Sequence, residues 1–266
     1  GSASHHQLRK LNQRIDLIRS ATAKSGGIYL YANQQGCDGG RLYFDGCALI
    51  AINGEIVTRG AQFSIEDVEV VTATIDLEEV RSYRGAIGSR SIQASQATPI
   101  PRIMVDFELT TDRRIPPSNS DVVSYHTPEE EIAYGPACWL WDYLRRSGSS
   151  GFFLPVSGGA DSSSTAAIVG SMCQMVANAV VSGNQQVIAD ARRITGEDDN
   201  YLPTDPREFA NRIFHTCYME SQNSSKATRN RAKAIADQVG SYHLDVNIDS
   251  VVSALVSTFI KLTDKT

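Results

Sequence analysis

The chain has 266 residues, with 25 basic against 30 acidic side chains and a formal net charge of −5. This acidic balance argues against a protein that holds nucleic acid by bulk charge. The sequence contains no apolar run near the roughly 20 residues needed to cross a bilayer, and no secretory leader. We therefore expect a cytoplasmic protein of about two domains that binds neither nucleic acid nor membrane.

The cysteine and histidine patterns indicate what chemistry the chain lacks. Its five cysteines have no C-x-x-C spacing, and their odd number favours reduced thiols over a disulfide framework. Its histidines are adjacent or isolated, so none shows the i, i+4 spacing of a helical metal site. The sequence predicts no zinc site.

The N-terminal part predicts one helix followed by strands. Apolar residues spaced by three and four from Leu8 to Ile18 favour an amphipathic helix, which Gly26-Gly27 ends. Asn53-Gly54 predicts a type I′ hairpin turn, because both central residues of that turn take φ > 0. A short helix is expected at 77–83. Runs of β-branched and aromatic residues predict strands at 28–32, 41–52, 55–60, 68–75 and 102–109.

The C-terminal part predicts a parallel sheet. Residues 113–127 are polar and proline-containing, which is typical of an interdomain linker. Thr127-Pro128 with Glu130 predicts a capping box that opens an apolar helix. Strand and helix then alternate, with strands predicted at 152–156, 213–218 and 242–246, and such alternation calls for parallel strands. We interpret the polar stretch 182–205 as an insertion.

The turn after the first of these strands has the residues of an anion site. Ser157-Gly158-Gly159-Ala160-Asp161-Ser162 contains two glycines, which permit φ > 0 and a close approach of backbone to ligand. A helix predicted from Ser163 places the turn at a helix N-terminus, where amides favour an anion. Serine hydroxyls can donate to phosphate oxygens, and Asp161 is a hard oxygen ligand for Mg²⁺. The alternative is an ordinary turn with Asp161 as helix cap.

This segment is similar to the S-G-G-x-D-S loop of the ATP pyrophosphatases, which holds the pyrophosphate of ATP while AMP is transferred to a substrate oxygen. The lysine of G-x-x-x-x-G-K-[ST] and the spacing G-x-G-x-x-G are both absent. The resemblance implies that Ser157 contacts the leaving pyrophosphate as the catalytic residue and that Asp161 holds Mg²⁺. It implies ATP contacts from Pro155, Val156, Ser157, Gly158, Gly159, Ala160, Asp161 and Ser162.

Longer stretches resemble the glutamine-dependent NAD synthetases of eukaryotes, in which a nitrilase-type amidohydrolase domain is fused to an ATP pyrophosphatase domain. Three sequence segments carry the resemblance in the nitrilase part: S-x-S-H-H-x-L-R-K at 2–10, G-G-I-Y-L-x-A-N-Q at 26–34 and G-C-D-G-x-R-L-Y-x-D-G-C-A at 36–48. In the synthetase part the segment is T-C-Y-M-x-S-x-N-S-S-x-x-T-R-x-R-A at 216–232. By this resemblance Tyr218 and Met219 contact the nucleotide base, with Ser224 and Ser225 as weaker neighbours. A buried strand end and a helix cap are the alternative for these four residues.

The resemblance implies an α/β fold: the C-terminal part of a nitrilase-like α-β-β-α sandwich at 1–112, a linker at 113–127, and a Rossmann-like parallel-sheet domain at 128–266. It implies a homo-oligomer that acts on ATP, deamido-NAD and glutamine, with Ser4 contacting glutamine. ATP adenylates deamido-NAD, and ammonia from glutamine then displaces AMP.

The resemblance also limits what this chain is expected to do. The family's Cys nucleophile lies in a C-E-x-L-W stretch upstream of S-x-S-H-H, and Cys37 and Cys47 lie outside that motif, so we interpret both as structural. We expect no glutamine hydrolysis by the chain as given, and part of the dinucleotide site to lie outside it. Two alternatives stay open: another ATP pyrophosphatase amidotransferase, or a non-catalytic nucleotide-binding fragment.

Overall fold

A computed structural model describes residues 3–107, 112 and 114–263. These residues divide into two compact units: the first consists of those up to 35, at 44–64 and between 68 and 128, and the second of those at 36–43, 65–67 and from 129 onward. Helices and strands alternate through the second unit, so the chain has the expected α/β fold.

Between residues 3 and 97 the structure has three helices and five strands. In chain order they are α1 (Lys10–Ser25), β1 (Ile28–Tyr31), β2 (Gln35–Cys37), β3 (Tyr43–Asp45), β4 (Leu49–Ile52), β5 (Glu55–Arg59), α2 (Leu77–Gly85) and α3 (Gly88–Gln96). β1, β4 and β5 form an antiparallel sheet, and β2 pairs with β3. The apolar stripe of α1 packs on this sheet through Leu11, Ile15 and Ile18, as its spacing predicts.

The Asn53-Gly54 turn is confirmed. Its two residues have φ of 52° and 99°, the left-handed values that a type I′ turn requires. The single strand predicted at 41–52 is wrong, because Gly46 and Cys47 take φ of 62° and 59°. This break separates β3 from β4, since left-handed backbone cannot continue a strand.

Two other predicted strands are also wrong. Residues 68–75 and 102–107 are irregular, while 108 and 109 lie outside the described residues. Val68 and Val70 are 75% and 78% exposed. An alternating pattern forms a stable strand only where a neighbouring strand or helix covers its apolar face. Residues 118–124 pack within the first unit: the amide of Asp121 donates to the carbonyl of Ile56 over 2.8 Å, and Val123 packs on the core around α1.

The second unit holds the parallel sheet. Its elements in chain order are α4 (Pro128–Ser147), β6 (Phe152–Pro155), α5 (Ala160–Val181), α6 (Gln185–Thr195), α7 (Pro206–Ile213), β7 (Phe214–Glu220), α8 (Lys226–Val239), β8 (Tyr242–Asn247) and α9 (Asp249–Thr263). The strand order is β6-β7-β8 and both pairings are parallel. This confirms the sheet that the alternation of elements predicts.

The interpretation of 182–205 as an insertion is wrong, because α6 lies within it and contributes to the core. Val187, Ile188, Ala191 and Ile194 are all buried against α5 and α7. Their spacing of one, three and three residues is that of a helix face. The Asn184 side chain accepts from the amide of Val187 over 3.0 Å and so caps the helix. Gln185, Gln186 and Arg193 lie on the exposed face of α6, whereas Asp190 is buried.

α5 is the central helix of this unit. By length and composition alone its 22 residues could cross a membrane, contrary to the expectation that no run is long and apolar enough. Val169, Met172 and Val176 on one of its faces are buried in the core formed with α4, α6 and α7, as in a core helix. Because α5 begins at Ala160 and not at Ser163, Asp161 and Ser162 lie in its first turn.

Candidate functional site

A cavity of about 370 Å³ opens at the carboxyl ends of β6 and β7. The amide of Val156 donates to the carbonyl of Cys217 over 2.8 Å, which continues the parallel ladder to the edge of the cavity. The lining comes from the end of β6, the end of β7 and the start of α8: Pro155, Val156, Ser157, Cys217, Tyr218, Met219, Asn223, Ser224, Ser225 and Thr228. None of these side chains is an acid or a base that is charged at neutral pH.

The floor of the cavity is buried and internally hydrogen-bonded. Val156, Tyr218 and Ala232 form a small apolar cluster beneath it, in which Tyr218 is 3% exposed. The Tyr218 hydroxyl lies 2.8 Å from Oγ1 of Thr228. Thr228 is itself held at the helix start, since its amide donates to Oγ of the N-cap Ser225 over 3.2 Å. These bonds fix the position of Tyr218 relative to α8.

The segment between β6 and α5 lies against the backbone of α8. Gly158 has φ of +75°, and a Cβ at this position would lie 2.2 Å from the carbonyl oxygen of Thr228. Only glycine fits both this φ and this approach. Gly159, with φ of −85°, is the N-cap residue of α5.

Two serine hydroxyls face each other across this segment. Oγ of Ser157 lies 3.2 Å from Oγ of Ser162 and accepts from the amide of Gly159 over 3.3 Å. The amide of Ser157 donates to Oγ of Ser162 over 3.3 Å. The hydroxyls and amides therefore lie together at the N-terminus of a 22-residue helix, where the peptide dipoles favour an anion.

Charged side chains flank the segment. Asp161 is exposed in the first turn of α5. Nε of Arg231 donates to the carbonyl of Gly158 over 2.9 Å. Arg229, two residues earlier on α8, is paired instead with Asp245 over 2.5 Å and with Glu220 over 3.7 Å. The hydrogen bond that Arg229 donates to Asp245 raises the pKa of the Arg229 guanidinium.

A divalent cation would find one carboxylate here. Within the described ranges, no group of three or more His, Cys, Asp or Glu side chains could hold a metal ion. Mg²⁺ is commonly bound by one or two carboxylates, with substrate phosphates and waters completing an octahedron. A single exposed Asp161 beside the serine hydroxyls fits that manner of binding, and it does not fit a site made of protein ligands alone.

The structure brings together the residues that the sequence predicts for this site. Pro155, Val156 and Ser157 line the same cavity as Tyr218 and Met219, together with Ser224 and Ser225. Gly158 to Ser162 continue from it into α5. From the sequence we assign no role to Thr228, and the basic run 229–233, which contains Arg231, either marks the solvated face of a helix or helps to hold phosphates. Their spacing of three residues on one helix face, after a Ser N-cap, is the signal that could have identified both.

Ser4 lies in the first unit, within a buried polar cluster. Its amide donates to Oδ1 of Asn33 over 2.9 Å, and its carbonyl accepts from Nδ2 of the same side chain over 2.9 Å. Nη2 of Arg14 donates to Oγ of Ser4 over 3.1 Å and to Oδ1 of Asp45 over 2.8 Å. Asp45 is fully buried and also accepts from Nε2 of Gln62 over 2.9 Å. The backbone and hydroxyl of Ser4 are thus held in one orientation.

The two N-terminal cysteines have the surroundings of structural residues. Burial raises the pKa of the Cys47 thiol, whose side chain is inaccessible. Burial also raises the pKa of Cys37. A raised pKa lowers the thiolate fraction, and the thiolate is the nucleophilic form.

Comparisons with known proteins match two families to separate parts of the chain. Residues 1–85 match the carbon-nitrogen hydrolase family, and residues 136–266 match the NAD synthase family. The chain is 58% identical over 270 residues to the glutamine-dependent NAD(+) synthetase of Saccharomyces cerevisiae, covering 99% of this chain and 38% of that protein. It is 57% identical to that of Dictyostelium discoideum, covering 100% and 37%, and 54% identical to that of Homo sapiens, covering 99% and 38%. The chain therefore spans less than two fifths of the length of these relatives.

Two solved structures share the fold. A glutamine-dependent NAD(+) synthetase from Cytophaga hutchinsonii superposes with a TM-score of 0.71 at 22% identity, over 99% of this chain and 38% of that one. The enzyme from Acinetobacter baumannii, solved in complex with ADP, gives 0.59 at 18% identity, over 98% and 35%. Along essentially its whole length, the chain is therefore similar to part of the glutamine-dependent NAD(+) synthetases named above.

Proposed function

We propose that the cavity and the Ser157–Ser162 segment bind ATP, and that this chain is the part of a glutamine-dependent NAD(+) synthetase in which deamido-NAD is adenylated. One observation carries the proposal. A cavity at the carboxyl ends of two neighbouring parallel strands adjoins a glycine-rich turn at a helix N-terminus. In open α/β sheets ligands bind at this edge. The ADP in the related Acinetobacter baumannii structure supports a nucleotide as the ligand.

The base and ribose are assigned to the cavity. Its volume of about 370 Å³ lies within the range of small-molecule sites, roughly 300 to 1,000 Å³. Pro155, Val156 and Met219 offer apolar contact, while the hydroxyls and backbone at Ser224 and Ser225 offer hydrogen bonds. An uncharged lining suits a nucleoside, which is itself uncharged at neutral pH.

The phosphates are assigned to the Ser157–Ser162 segment. When phosphate binds, the hydroxyls of Ser157 and Ser162 exchange the hydrogen bond between them for hydrogen bonds to phosphate oxygens. The first backbone amides of α5 add uncharged donors. Asp161 would hold Mg²⁺ against the phosphates. Bound there, Mg²⁺ would neutralise part of the phosphate charge.

This arrangement suits the activation of a carboxylate. A carboxylate resists attack by ammonia because its charge is delocalised and oxide is a poor leaving group. Its oxygen attacks the α-phosphorus of ATP, the bond to the β-phosphate oxygen breaks, and pyrophosphate departs. Ammonia then adds to the acyl carbon and AMP leaves, which gives the amide. Donors at Ser157 stabilise charge on the departing pyrophosphate, and this is the role we propose for it.

Three further proposals follow from the similarity to these relatives. Ser4 contacts the glutamine substrate, and its fixed backbone and hydroxyl suit that task. The protein is cytoplasmic and works as a homo-oligomer. Ammonia for the amidation comes from glutamine.

A thermal-shift measurement tests the ATP assignment. Mg-ATP should raise the unfolding temperature of the wild-type chain, because a ligand that binds only the folded state stabilises it. Asp161→Ala should reduce that shift. Asp237→Ala is the control and should leave the shift unchanged, because Asp237 lies near the C-terminal end of α8, whereas the cavity lies at its N-terminal end. A wild-type chain with no shift, or an Asp161→Ala variant with the full shift, contradicts the assignment.

A further inference from the structure

We propose that Arg231 binds the phosphates of the nucleotide and supplies the positive charge that the Ser157–Ser162 segment lacks. This inference rests on the proposed function and adds to it a residue outside the glycine-rich segment. It assigns to an arginine on a neighbouring helix the task that a lysine performs in loops of the form G-x-x-x-x-G-K-[ST].

The first reason is position. Arg231 follows Thr228 by three residues on α8, and residues three apart on a helix lie on one face. Thr228 lines the cavity, and its carbonyl is the atom that the backbone of Gly158 approaches. The Arg231 side chain extends from this face to the Gly158 carbonyl, which it reaches over 2.9 Å.

The second reason is which atoms remain available. Arg231 uses Nε to donate to Gly158, and a guanidinium has four further N–H groups in the same plane. Among the described side chains no carboxylate forms an ion pair with Arg231, while Arg229 on the same helix has two such partners. A planar donor fork with free Nη atoms matches the geometry of phosphate oxygens.

The third reason is the charge balance of the site. The cavity lining is neutral, the serines and backbone amides are neutral, and Asp161 carries a negative charge. ATP brings several negative charges, which Mg²⁺ offsets only in part. A cation beside Gly158 therefore lowers the electrostatic cost of bringing the phosphates to this helix N-terminus.

A purely structural role for Arg231 makes different predictions, and the variants are chosen to separate the two. Arg231→Gln removes the charge but keeps a side-chain amide that can donate to the Gly158 carbonyl. Arg229→Gln is the matched control, since it removes the same charge two residues away on the same helix. Affinities of the 266-residue chain for ATP, with Mg²⁺, and for adenosine are measured by calorimetry at two salt concentrations.

We expect Arg231→Gln to weaken ATP binding by about 10- to 100-fold, the range for losing a hydrogen bond to a charged group, with adenosine binding unchanged. ATP binding by this variant should depend less on salt than that of wild type, because one screened charge pair is gone. Arg229→Gln should bind ATP as wild type does. The inference is overturned if wild type binds ATP and Arg231→Gln binds it equally, or if Arg231→Gln loses ATP and adenosine affinity in the same proportion. A wild-type chain that binds no ATP overturns the proposed function, and this inference with it.

Discussion

Gly158 offers the sharpest test of how the second unit is built. Alanine at this position should destabilise the protein for two separable reasons, its φ of +75° and the approach of its Cβ to the Thr228 carbonyl. The chain supplies a control for each. Gly183 has φ of +81° with nothing within 4 Å of an added Cβ, and Gly159 has φ of −85° with Ser157 Oγ 3.3 Å from an added Cβ.

The magnitudes follow from these geometries. A residue other than glycine in the left-handed region costs about 1–2 kcal/mol, which is the whole penalty expected for Gly183→Ala. Gly158→Ala bears the same cost plus that of a contact at 2.2 Å, which must be relieved by moving the turn or α8. Such overpacking adds about 1–3 kcal/mol, for a total of roughly 2–5 kcal/mol. Gly159→Ala should cost less than about 1 kcal/mol, the usual difference between N-cap residues.

The chain contains its own reporter for this measurement. Both of its tryptophans, Trp139 and Trp141, are on α4, so fluorescence during urea unfolding follows the second unit alone. Free energies of unfolding should decrease in the order Gly159→Ala, Gly183→Ala, Gly158→Ala. If Gly158→Ala loses no more stability than Gly183→Ala, the close approach to Thr228 is not a feature of the protein.

Three further predictions concern other buried groups. Arg14→Met should cost about 3–5 kcal/mol because it leaves the inaccessible Asp45 carboxylate unpaired; circular dichroism during unfolding would measure this, and a loss below 1 kcal/mol would mean that Asp45 finds another partner. Tyr218→Phe should cost about 0.5–1.5 kcal/mol by removing the hydrogen bond to Thr228, and the cost should shrink in a Thr228→Val background. Burial raises the pKa of Cys138 and Cys173 to about 12 from 9.0. Just above pH 9 the two thiols lose their protons in the unfolded chain but keep them in the folded chain. The free energy of unfolding should therefore be constant below pH 9 with respect to these groups and decrease between pH 9 and 12. In the Cys173→Ala variant the free energy of unfolding, followed by tryptophan fluorescence, should decrease less over this pH range. If the variant and the wild type show the same pH dependence, the pKa of Cys173 is not raised by burial.

The sequence predicted best where local chemistry decides the backbone. Asn53-Gly54 fixes a two-residue turn without help from the rest of the chain, and the Ser225 cap starts α8 in the same way. The meeting of Ser157 with Tyr218 was predictable for a different reason. Parallel strands end at one edge of a sheet, so residues distant in sequence converge there once the strand order is known.

The errors arose where tertiary packing decides. Residues 68–75 have the alternation of a strand, but Val68 and Val70 are exposed and the segment is irregular. The stretch containing α6 is polar overall, yet Val187 and Ile194 belong to the core because α5 and α7 cover that face. The spacing of Thr228 and Arg231 puts both on one face of α8, but the hydrogen bond from Arg231 to the Gly158 carbonyl could not be predicted, since it depends on how closely α8 approaches that backbone.

The parallel pairing of β6 with β7 has a consequence for folding. β4 and β5 are joined by a two-residue turn, so this hairpin can close by local contacts within microseconds. β6 pairs with a strand that follows three helices, and non-local pairing of this kind is slow because a long loop must be closed first. During synthesis the Ser157–Ser162 segment emerges well before Tyr218 and Ser225 exist. We therefore expect the cavity to form after the hairpin of β4 and β5, so that a ligand which needs the complete lining cannot assist that earlier step.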